Sequence, residues 1–170
     1  MRLDEFKKKN ILIVGDVMLD RYIYGSADRI SDEAPVPIVR VVEERCIPGG
    51  AGNVAANITS LGGRATLIGV LGNDQAGLLL KKELKKRNVT LHSVQGKSFP
   101  TIQKIRVLAR GQQLVRIDHE AAKRPPEKAR ADAVAQFIKK NAKDFDGFVI
   151  SDYGKGMITR RIAETLVQTS

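Results

Sequence analysis

The stretch IPGGAGNVAANITSLGG, residues 47–63, contains five glycines and two asparagines and is the most informative part of the sequence. A glycine inside regular structure costs roughly 0.5–1 kcal/mol relative to alanine, so this cluster indicates a backbone that must approach something closely. Apolar residues recur at helical spacing from Asn53 to Leu61, which predicts a helix that ends at Gly62 and Gly63. Glycine amides that lead into a helix predict a site for an anion or for the polar oxygens of a ligand.

Three continuous apolar runs around this stretch predict strands that are buried on both faces. They span residues 11–15, 65–72 and 147–151. Helical patterns cover residues 74–89, the segment after Pro125-Pro126 and residues 157–168, and the first has Asn73 or Asp74 as its N-cap. Strands that alternate with helices predict an α/β fold with a parallel sheet and right-handed crossovers.

Two further segments, residues 21–44 and 101–118, differ from the buried strands because their β-rich pieces are short. The first is interrupted by glycine and proline and predicts edge strands or a hairpin outside the main sheet. The second predicts two strands joined by a tight turn at Arg110-Gly111. Together they predict a small separate sheet. Three buried strands make a thin core for a parallel sheet, so we expect residues 1–170 to be part of a larger domain.

The composition limits the class of protein. With 170 residues, of which 42% are hydrophobic, the chain can bury the core of one domain. It has no apolar run of about 18 residues and no secretory signal in MRLDEFKKKN, so we expect no membrane association. The single cysteine, Cys46, cannot form an internal disulfide. These features predict a cytoplasmic location.

The formal net charge of +10 has several possible origins. A basic surface can bind nucleic acid, anionic lipid or an anionic small molecule. The lysine runs at 81–87 and 139–143 have the pattern of solvated helix faces, and aromatic residues are only 5% of the chain. His92 and His119 lack the spacing of metal ligands, and no cysteine–histidine set could hold zinc. We therefore predict no metal site and no nucleic-acid partner, and assign the charge to solvated surface and an anionic ligand.

Polar side chains follow the predicted parallel strands, at the edge where open α/β sheets bind ligands. Asp16 and Asp20 follow the first strand, and Lys155 lies in SDYGKG after the third. Carboxylates accept hydrogen bonds from sugar hydroxyls, and Asn53 can donate and accept at once, which suits a vicinal diol. Each of these residues also has a purely structural alternative, in a turn or on the solvated surface.

The glycine stretch also matches a competing pattern. Residues 50–55 satisfy G-x-G-x-x-A, and Asp74 follows at about the distance of a ribose-binding acid, which would indicate a dinucleotide-dependent oxidoreductase. Such a loop should turn directly from a buried parallel strand into its helix. Here residues 45–48 separate the loop from a strand that carries Pro35 and Pro37. The oxidoreductase stays as a second hypothesis, and a non-enzymatic basic binding module as a third.

Four stretches in order, GDVMLDRYIYG, PGGAGNVAANITSLGG, LIGVLGND and VISDYGKG, resemble the ribokinase-like (PfkB) carbohydrate kinases. The resemblance covers essentially the whole chain, and the combination is highly specific although each motif alone is moderately so. It implies a ribokinase-like fold, with a mostly parallel sheet flanked by helices. In such a fold, segments 21–44 and 101–118 form a small β lid that covers the sugar and commonly provides a dimer contact.

Within this family, DRYIYG, QQLVRIDHE and SDYGKG look most like the kinases that phosphorylate the anomeric hydroxyl of a heptose 7-phosphate in the synthesis of ADP-heptose for lipopolysaccharide. Asp32 stands where that pattern has proline, which is a minor departure. Another sugar kinase of the same family stays as the alternative.

Carried over by position, the resemblance implies a substrate site with three kinds of group. Acids contact the sugar hydroxyls, glycine amides and an asparagine line the same site, and two cations are candidates for the distal phosphate of a sugar phosphate. These are, in that order, Asp16 and Asp20, then Gly49, Gly50 and Asn53, then Arg106 and Lys155. ATP and Mg²⁺ are the implied cofactors of the complete enzyme, and a homodimer through the lid is its implied assembly.

One part of the family pattern has no counterpart here. The second signature, a glycine-rich turn into a helix that carries the catalytic aspartate, does not occur between Ser151 and Ser170. The resemblance places the catalytic base, the anion-hole amides and most of the ATP site in that later half. We therefore expect no catalytic residue in residues 1–170, a sugar-binding role at most, and no kinase activity from this part alone.

Overall fold

The computed structural model describes residues 3–95, 99–120 and 126–169. In chain order the elements of these ranges are α1 Leu3–Phe6, β1 Asn10–Gly15, β2 Val17–Ile30, β3 Pro37–Gly50, α2 Ala51–Ser60, β4 Arg64–Leu71, α3 Gln75–Lys86, β5 Val89–Gln95, β6 Gln103–Ala109, β7 Gln112–His119, α4 Glu127–Asn141, β8 Gly147–Ser151 and α5 Arg160–Thr169. A 3-10 turn at Ala142–Asp144 follows α4. The described strands form two four-stranded sheets, a parallel main sheet and a mixed sheet that we call the lid.

The main sheet has the strand order β5-β4-β1-β8, and all its pairs are parallel. Its strands β1, β4 and β8 confirm the three predicted from apolar runs. In β1, Leu12 and Val14 are fully buried in the core shared with α4 and α5, and Ile13 is fully buried in the core shared with α2 and α3. Helices that cover both faces of the sheet explain why residues 11–15 are continuously apolar.

The apolar pattern did not predict β5, which pairs with β4 along its whole length. Thr90, His92 and Ser93 interrupt its apolar residues. Because β5 is an edge strand of the main sheet, it has one strand neighbour and needs no continuous apolar run.

The lid has the order β3-β2-β6-β7, in which β2 is antiparallel to β3 and parallel to β6, and β6 is antiparallel to β7. The turn between β6 and β7 has a positive φ at Arg110 (51°) and at Gly111 (78°), as in a type I′ hairpin, so the predicted tight turn is confirmed. The first lid hairpin extends beyond residues 21–44, since β2 begins at Val17 and β3 continues to Gly50.

Residues 45–48 belong to β3, which corrects the prediction that they separate the glycine stretch from its strand. They pair with β2, where Cys46 lies opposite Arg21 and Pro48 lies opposite Leu19. Proline fits here because β3 is an edge strand, and one side of its backbone needs no partner. The strand that enters α2 is therefore an antiparallel lid strand and not a strand of the main sheet.

The helix starts differ slightly from the predictions. α2 begins at Ala51 rather than Asn53, because Gly50 adopts the N-cap position with a φ of 56° and the Ala51 amide donates to the backbone oxygen of Asp16 at 2.8 Å. Asp74 is the N-cap of α3, which is one of the two residues predicted for it. The start of α2 is thus set by the junction between the two sheets.

The C-terminal helices show one further correction. α4 begins after Pro126, while Pro125 lies outside the described residues. α5 begins at Arg160 and not at Met157, because Thr159 caps the helix and its hydroxyl accepts from the Ile162 amide at 3.3 Å. Across the described ranges, no helix combines the length and the apolar content that a membrane span requires.

Candidate functional site

Two acidic residues stand where the main sheet passes into the lid. Asp16 lies between β1 and β2 and is 3% exposed, whereas Asp20 lies within β2 with 16% of its side chain exposed. Alternate residues of a strand project to opposite faces, so Asp20 and Tyr22 share one face of the lid. The register of β2 with β6 puts Arg106 opposite Tyr22, on that same face. We call it the Asp20 face.

The glycines of β3 make room for these acids. A Cβ on Gly49 would lie 2.4 Å from Oδ2 of Asp20, and a Cβ on Gly50 would lie 2.3 Å from the backbone oxygen of Asp16. Gly50 also has a φ of 56°, which side chains rarely adopt. The close approach that the glycine cluster predicts is therefore an approach of backbone to the two aspartates.

The Asp20 carboxylate is paired with a lid cation. Nη1 of Arg106 donates to Oδ1 of Asp20 at 2.7 Å, and both side chains are largely buried, with 21% and 16% exposed. Burial alone would lower the pKa of Arg106, but the hydrogen bond and charge of Asp20 outweigh it and raise that pKa above its ordinary value. The site therefore carries a permanent cation beside an acid.

Tyr22 is a site residue that the sequence analysis missed. The guanidinium carbon of Arg106 lies 5.1 Å from the centre of the Tyr22 ring, which is a cation–π contact. Tyr24 stacks on Tyr22 with ring centres 6.3 Å apart, and Arg45 lies over Tyr24 at 5.5 Å. The sequence pattern that could have identified these rings is their spacing of two and four residues from Asp20 along β2. This spacing puts both rings on the Asp20 face.

The remaining predicted residues lie in two places. Asn53 is exposed on the first turn of α2. Lys155 lies in the loop between β8 and α5, and its ammonium pairs with the carboxylate of Glu120, the residue after β7. Glu120 was not predicted, although it is the final residue of the quoted stretch QQLVRIDHE. The pair links the last strand of the lid to the carboxyl end of the main sheet.

The carboxylate of Asp16 is occupied by backbone groups. Its Oδ2 accepts hydrogen bonds from the amides of Tyr153 at 2.8 Å and Lys155 at 2.9 Å, and its Oδ1 accepts from the Met157 amide at 2.8 Å. The structure thus brings Asp20, Arg106 and Gly49 together, and separately joins Asp16 to the Lys155 loop.

The structure removes the basis of the oxidoreductase hypothesis. Asp74, the supposed ribose-binding acid, accepts hydrogen bonds from the Gly77 amide and from the amide and hydroxyl of Thr101. Burial raises the pKa of Asp74, but these hydrogen bonds outweigh burial and leave the pKa below its usual value. Asp74 holds the start of α3 against the segment that enters the lid, and the glycine loop does not follow a parallel strand.

The surroundings of Cys46 and His92 indicate structural roles for these two side chains. Burial, together with the nearby Glu44, raises the pKa of the Cys46 thiol, so the thiol stays protonated, as expected of a residue that is not a nucleophile. His92 packs against Phe137 with ring centres 4.4 Å apart. In the three described ranges, no cluster of three or more acidic, histidine or cysteine side chains is arranged to hold a metal ion.

These residues do not fit a nucleotide site. The Cβ positions of Gly49 and Gly50 would meet atoms of Asp20 and Asp16, so the glycines serve close packing within the chain rather than a cradle for phosphates. We therefore assign no ATP phosphate to Gly49 and Gly50.

Comparisons with known proteins identify relatives that match most of this chain. Over 158 residues the chain is 47% identical to the bifunctional protein HldE of Shigella dysenteriae, with 92% of this chain and 32% of that protein covered. Over 157 residues it is 43% identical to the D-beta-D-heptose 7-phosphate kinase of Bordetella bronchiseptica, with 92% and 49% covered. The chain thus spans about a third to a half of the curated relatives it matches.

The fold has solved counterparts. The phosphofructokinase-2 of Escherichia coli in complex with fructose-6-phosphate superposes with a TM-score of 0.69 at 22% identity, over 95% of this chain and 51% of that one. This likeness confirms the ribokinase-like arrangement of a mostly parallel sheet, flanking helices and lid. Residues 8–160 match the family described as pfkB family carbohydrate kinase. Because that match covers most of the chain, the chain belongs to the pfkB family of carbohydrate kinases.

Proposed function

We propose that this chain is the sugar-binding part of a kinase that transfers the γ-phosphoryl group of ATP to the anomeric hydroxyl of D-glycero-β-D-manno-heptose 7-phosphate, a step toward ADP-heptose. Membership of the family and the names of the relatives support this assignment. The observation that carries it is the contact of Asp20 with Arg106, because it joins an acceptor for sugar hydroxyls to a cation for phosphate in one partly buried site.

We assign the sugar hydroxyls to Asp20 and Asn53, with the backbone at Gly49 and Gly50 lining the same site. Carboxylate oxygens accept from hydroxyl groups, and an amide side chain both donates and accepts. The distal phosphate is assigned to Arg106 and Lys155. The Arg106 fork suits two phosphate oxygens at once, and Lys155 supplies a point charge on a flexible stem. This division also gives part of the excess positive charge a function.

We assign phosphoryl transfer itself to groups outside residues 1–170. ATP would provide the phosphoryl group, and Mg²⁺ would neutralise charge on it. The residues of this chain bind and orient the sugar phosphate, so that its anomeric hydroxyl is presented in one position. The catalytic base and the nucleotide site are assigned to the part of the relatives that this chain does not span.

We further propose that the lid pairs two copies of the protein. Val115 and Ile117 of β7 are 47% and 44% exposed. They lie opposite Val107 and Ile105 of β6, on the face of the lid away from Asp20. A second lid on this face would cover apolar side chains and leave the Asp20 face open to substrate. A cytoplasmic location stays a prediction from composition.

Two experiments test the function. Calorimetric titration of the 170-residue chain should detect the heptose 7-phosphate, with weaker binding of the unphosphorylated heptose and of inorganic phosphate. ATP consumption should then be measured with the longest polypeptide that the gene encodes, across a panel of sugar phosphates that includes fructose 6-phosphate. Preference for fructose 6-phosphate would favour another sugar kinase of the family, and no turnover with any member of the panel would overturn the proposal.

A further inference from the structure

One buried carboxylate organises the whole loop between β8 and α5. Asp16 accepts three amide hydrogen bonds, from Tyr153, Lys155 and Met157, all between 2.8 and 2.9 Å. The donors are alternate residues of the loop. Glycines with φ values of 68° and 90°, Gly154 and Gly156, separate them. Left-handed glycines at these positions turn the three amides toward the same carboxylate, so the loop is shaped around Asp16.

The backbone of Asp16 joins the same loop to the glycine stretch. Its amide donates to the carbonyl of Ser151 at 3.0 Å, and its carbonyl accepts from the amide of Ala51 at 2.8 Å. One residue therefore holds the end of β8, the start of α2 and the loop that carries Lys155. A carboxylate has about four acceptor positions. Three of those of Asp16 are filled, and the residue is 3% exposed, so little capacity is left for a sugar hydroxyl.

We propose that Asp16 is a positioning residue that acts through Lys155 and is not a ligand of the sugar. The proposal rests on the assignment of Lys155 to the distal phosphate under the proposed function. The Lys155 amide is anchored on Asp16, while its ammonium reaches Glu120 at the end of the lid. By holding the backbone of Lys155, Asp16 thereby determines where the Lys155 ammonium lies between the main sheet and the lid. The proposal replaces the direct sugar contact that the resemblance implied for Asp16.

The first test needs no ligand. Hydrogen exchange of the 170-residue chain, followed by NMR, should show protected amides at Tyr153, Lys155 and Met157. Asp16→Asn keeps the shape of the side chain but turns one acceptor into a donor, so exchange at these amides should accelerate by about tenfold or more. Asp152→Asn is the matched control, because Asp152 is exposed and its carboxylate accepts from a single loop amide among the hydrogen bonds described, that of Gly154. Unchanged protection in Asp16→Asn would overturn the positioning role.

The second test separates positioning from direct contact. Binding of heptose 7-phosphate and of unphosphorylated heptose is compared in the wild type, Asp16→Asn, Lys155→Met and the double variant. If Asp16 acts through Lys155, Asp16→Asn weakens the phosphorylated probe by about tenfold and has little further effect when Lys155 is already methionine. An equal loss for both probes, unchanged by Lys155→Met, would make Asp16 a direct sugar ligand and overturn the proposal.

The proposed function and the loop-shaping role of Asp16 can fail separately. If the wild type binds neither probe, the proposed function fails for this chain, and the exchange experiment alone decides whether Asp16 shapes the loop. If Asp16→Asn does not fold, Gly154→Ala strains the loop while leaving Asp16 intact, since the added Cβ meets no described atom within 4 Å. This variant should show the same faster exchange and the same selective loss of the phosphorylated probe, and wild-type behaviour in it would count against the proposal.

Discussion

Nη1 of Arg106 lies 2.7 Å from Oδ1 of Asp20, across two neighbouring parallel strands of the lid. The contact is further defined by Tyr22, whose ring lies under the guanidinium, and by Gly49, whose missing side chain leaves room for the carboxylate. An acid and a cation held together in this way neutralise each other until a ligand with hydroxyls and an anionic group arrives.

Replacement of Arg106 should separate recognition of phosphate from recognition of sugar. Arg106→Met is expected to weaken binding of heptose 7-phosphate by about 10- to 100-fold, because a charge-assisted hydrogen bond contributes roughly 1.5–3 kcal/mol. The affinity of Arg106→Lys should lie between those of the wild type and Arg106→Met, since lysine keeps the charge but loses the planar fork and the stacking on Tyr22. Arg110→Met is the control, because Arg110 pairs with Asp28 at an exposed lid position. Calorimetric titration gives the affinities, and equal effects of Arg106→Met and Arg110→Met would contradict the assignment.

The two adjacent glycines should differ in what they control. In Gly49→Ala the new Cβ meets mainly the flexible end of Asp20, so the fold should survive while binding weakens by about tenfold as the carboxylate leaves Arg106. In Gly50→Ala it meets the backbone oxygen of Asp16 at a φ of 56°, so the free energy of unfolding should fall by about 2 kcal/mol or more. Thermal unfolding and titration of both variants distinguish the two effects. A larger loss of stability in Gly49→Ala than in Gly50→Ala would contradict the roles assigned to these two glycines.

Asp74 should stabilise the fold in a pH-dependent way. The pKa of Asp74 is lowered in the folded protein. Its contribution to the free energy of unfolding is therefore complete above the ordinary aspartate pKa of about 4, and it is lost as the pH falls through the lower pKa of the folded state. Asp74→Asn should therefore lower the melting temperature at pH 7 by roughly 2–8 °C, for a loss of about 1–2 kcal/mol.

The gap between wild type and Asp74→Asn should start to narrow below about pH 4, where Asp74 of the unfolded chain binds a proton. It should close once the pH lies below the lowered pKa of Asp74 in the folded protein. Asp132→Asn is the control, because Asp132 takes part only in an exposed pair with Arg161 at 3.2 Å among the contacts described. It should change stability by less than about 0.5 kcal/mol at any pH. Calorimetric melting from pH 3 to pH 7 provides the measurement, and a gap that is independent of pH would disprove the role of the Asp74 charge.

The lid face away from Asp20 should mediate self-association. Val115→Lys places a charge among the exposed apolar residues of β7, and it should shift the chain toward monomer in light scattering coupled to size-exclusion chromatography. Val167→Lys is the matched control, since Val167 is 69% exposed on α5, away from the lid. If both variants keep the molar mass of the wild type, the lid does not form the interface.

The sequence alone determined the features that depend on neighbouring residues. The apolar run of β1 predicts a strand covered on both faces, because only burial on both sides makes every residue apolar. The Arg110-Gly111 turn follows from the backbone conformations that a two-residue hairpin requires. The strand β5 was not predicted, because Thr90, His92 and Ser93 interrupt its apolar residues. The resemblance of the motifs then indicated the family, which the comparisons show.

Which side chains meet depends on the tertiary structure. Asp20 and Arg106 are 86 residues apart, and Asp16 reaches amides more than 130 residues away. Such contacts depend on strand order and register, which arise from the packing of the whole sheet and leave no local pattern. For this reason the motifs alone indicated the same role for Asp16 and Asp20. The fold separates them, because it buries Asp16 among backbone amides and places Asp20 beside a cation on the partly exposed face of the lid.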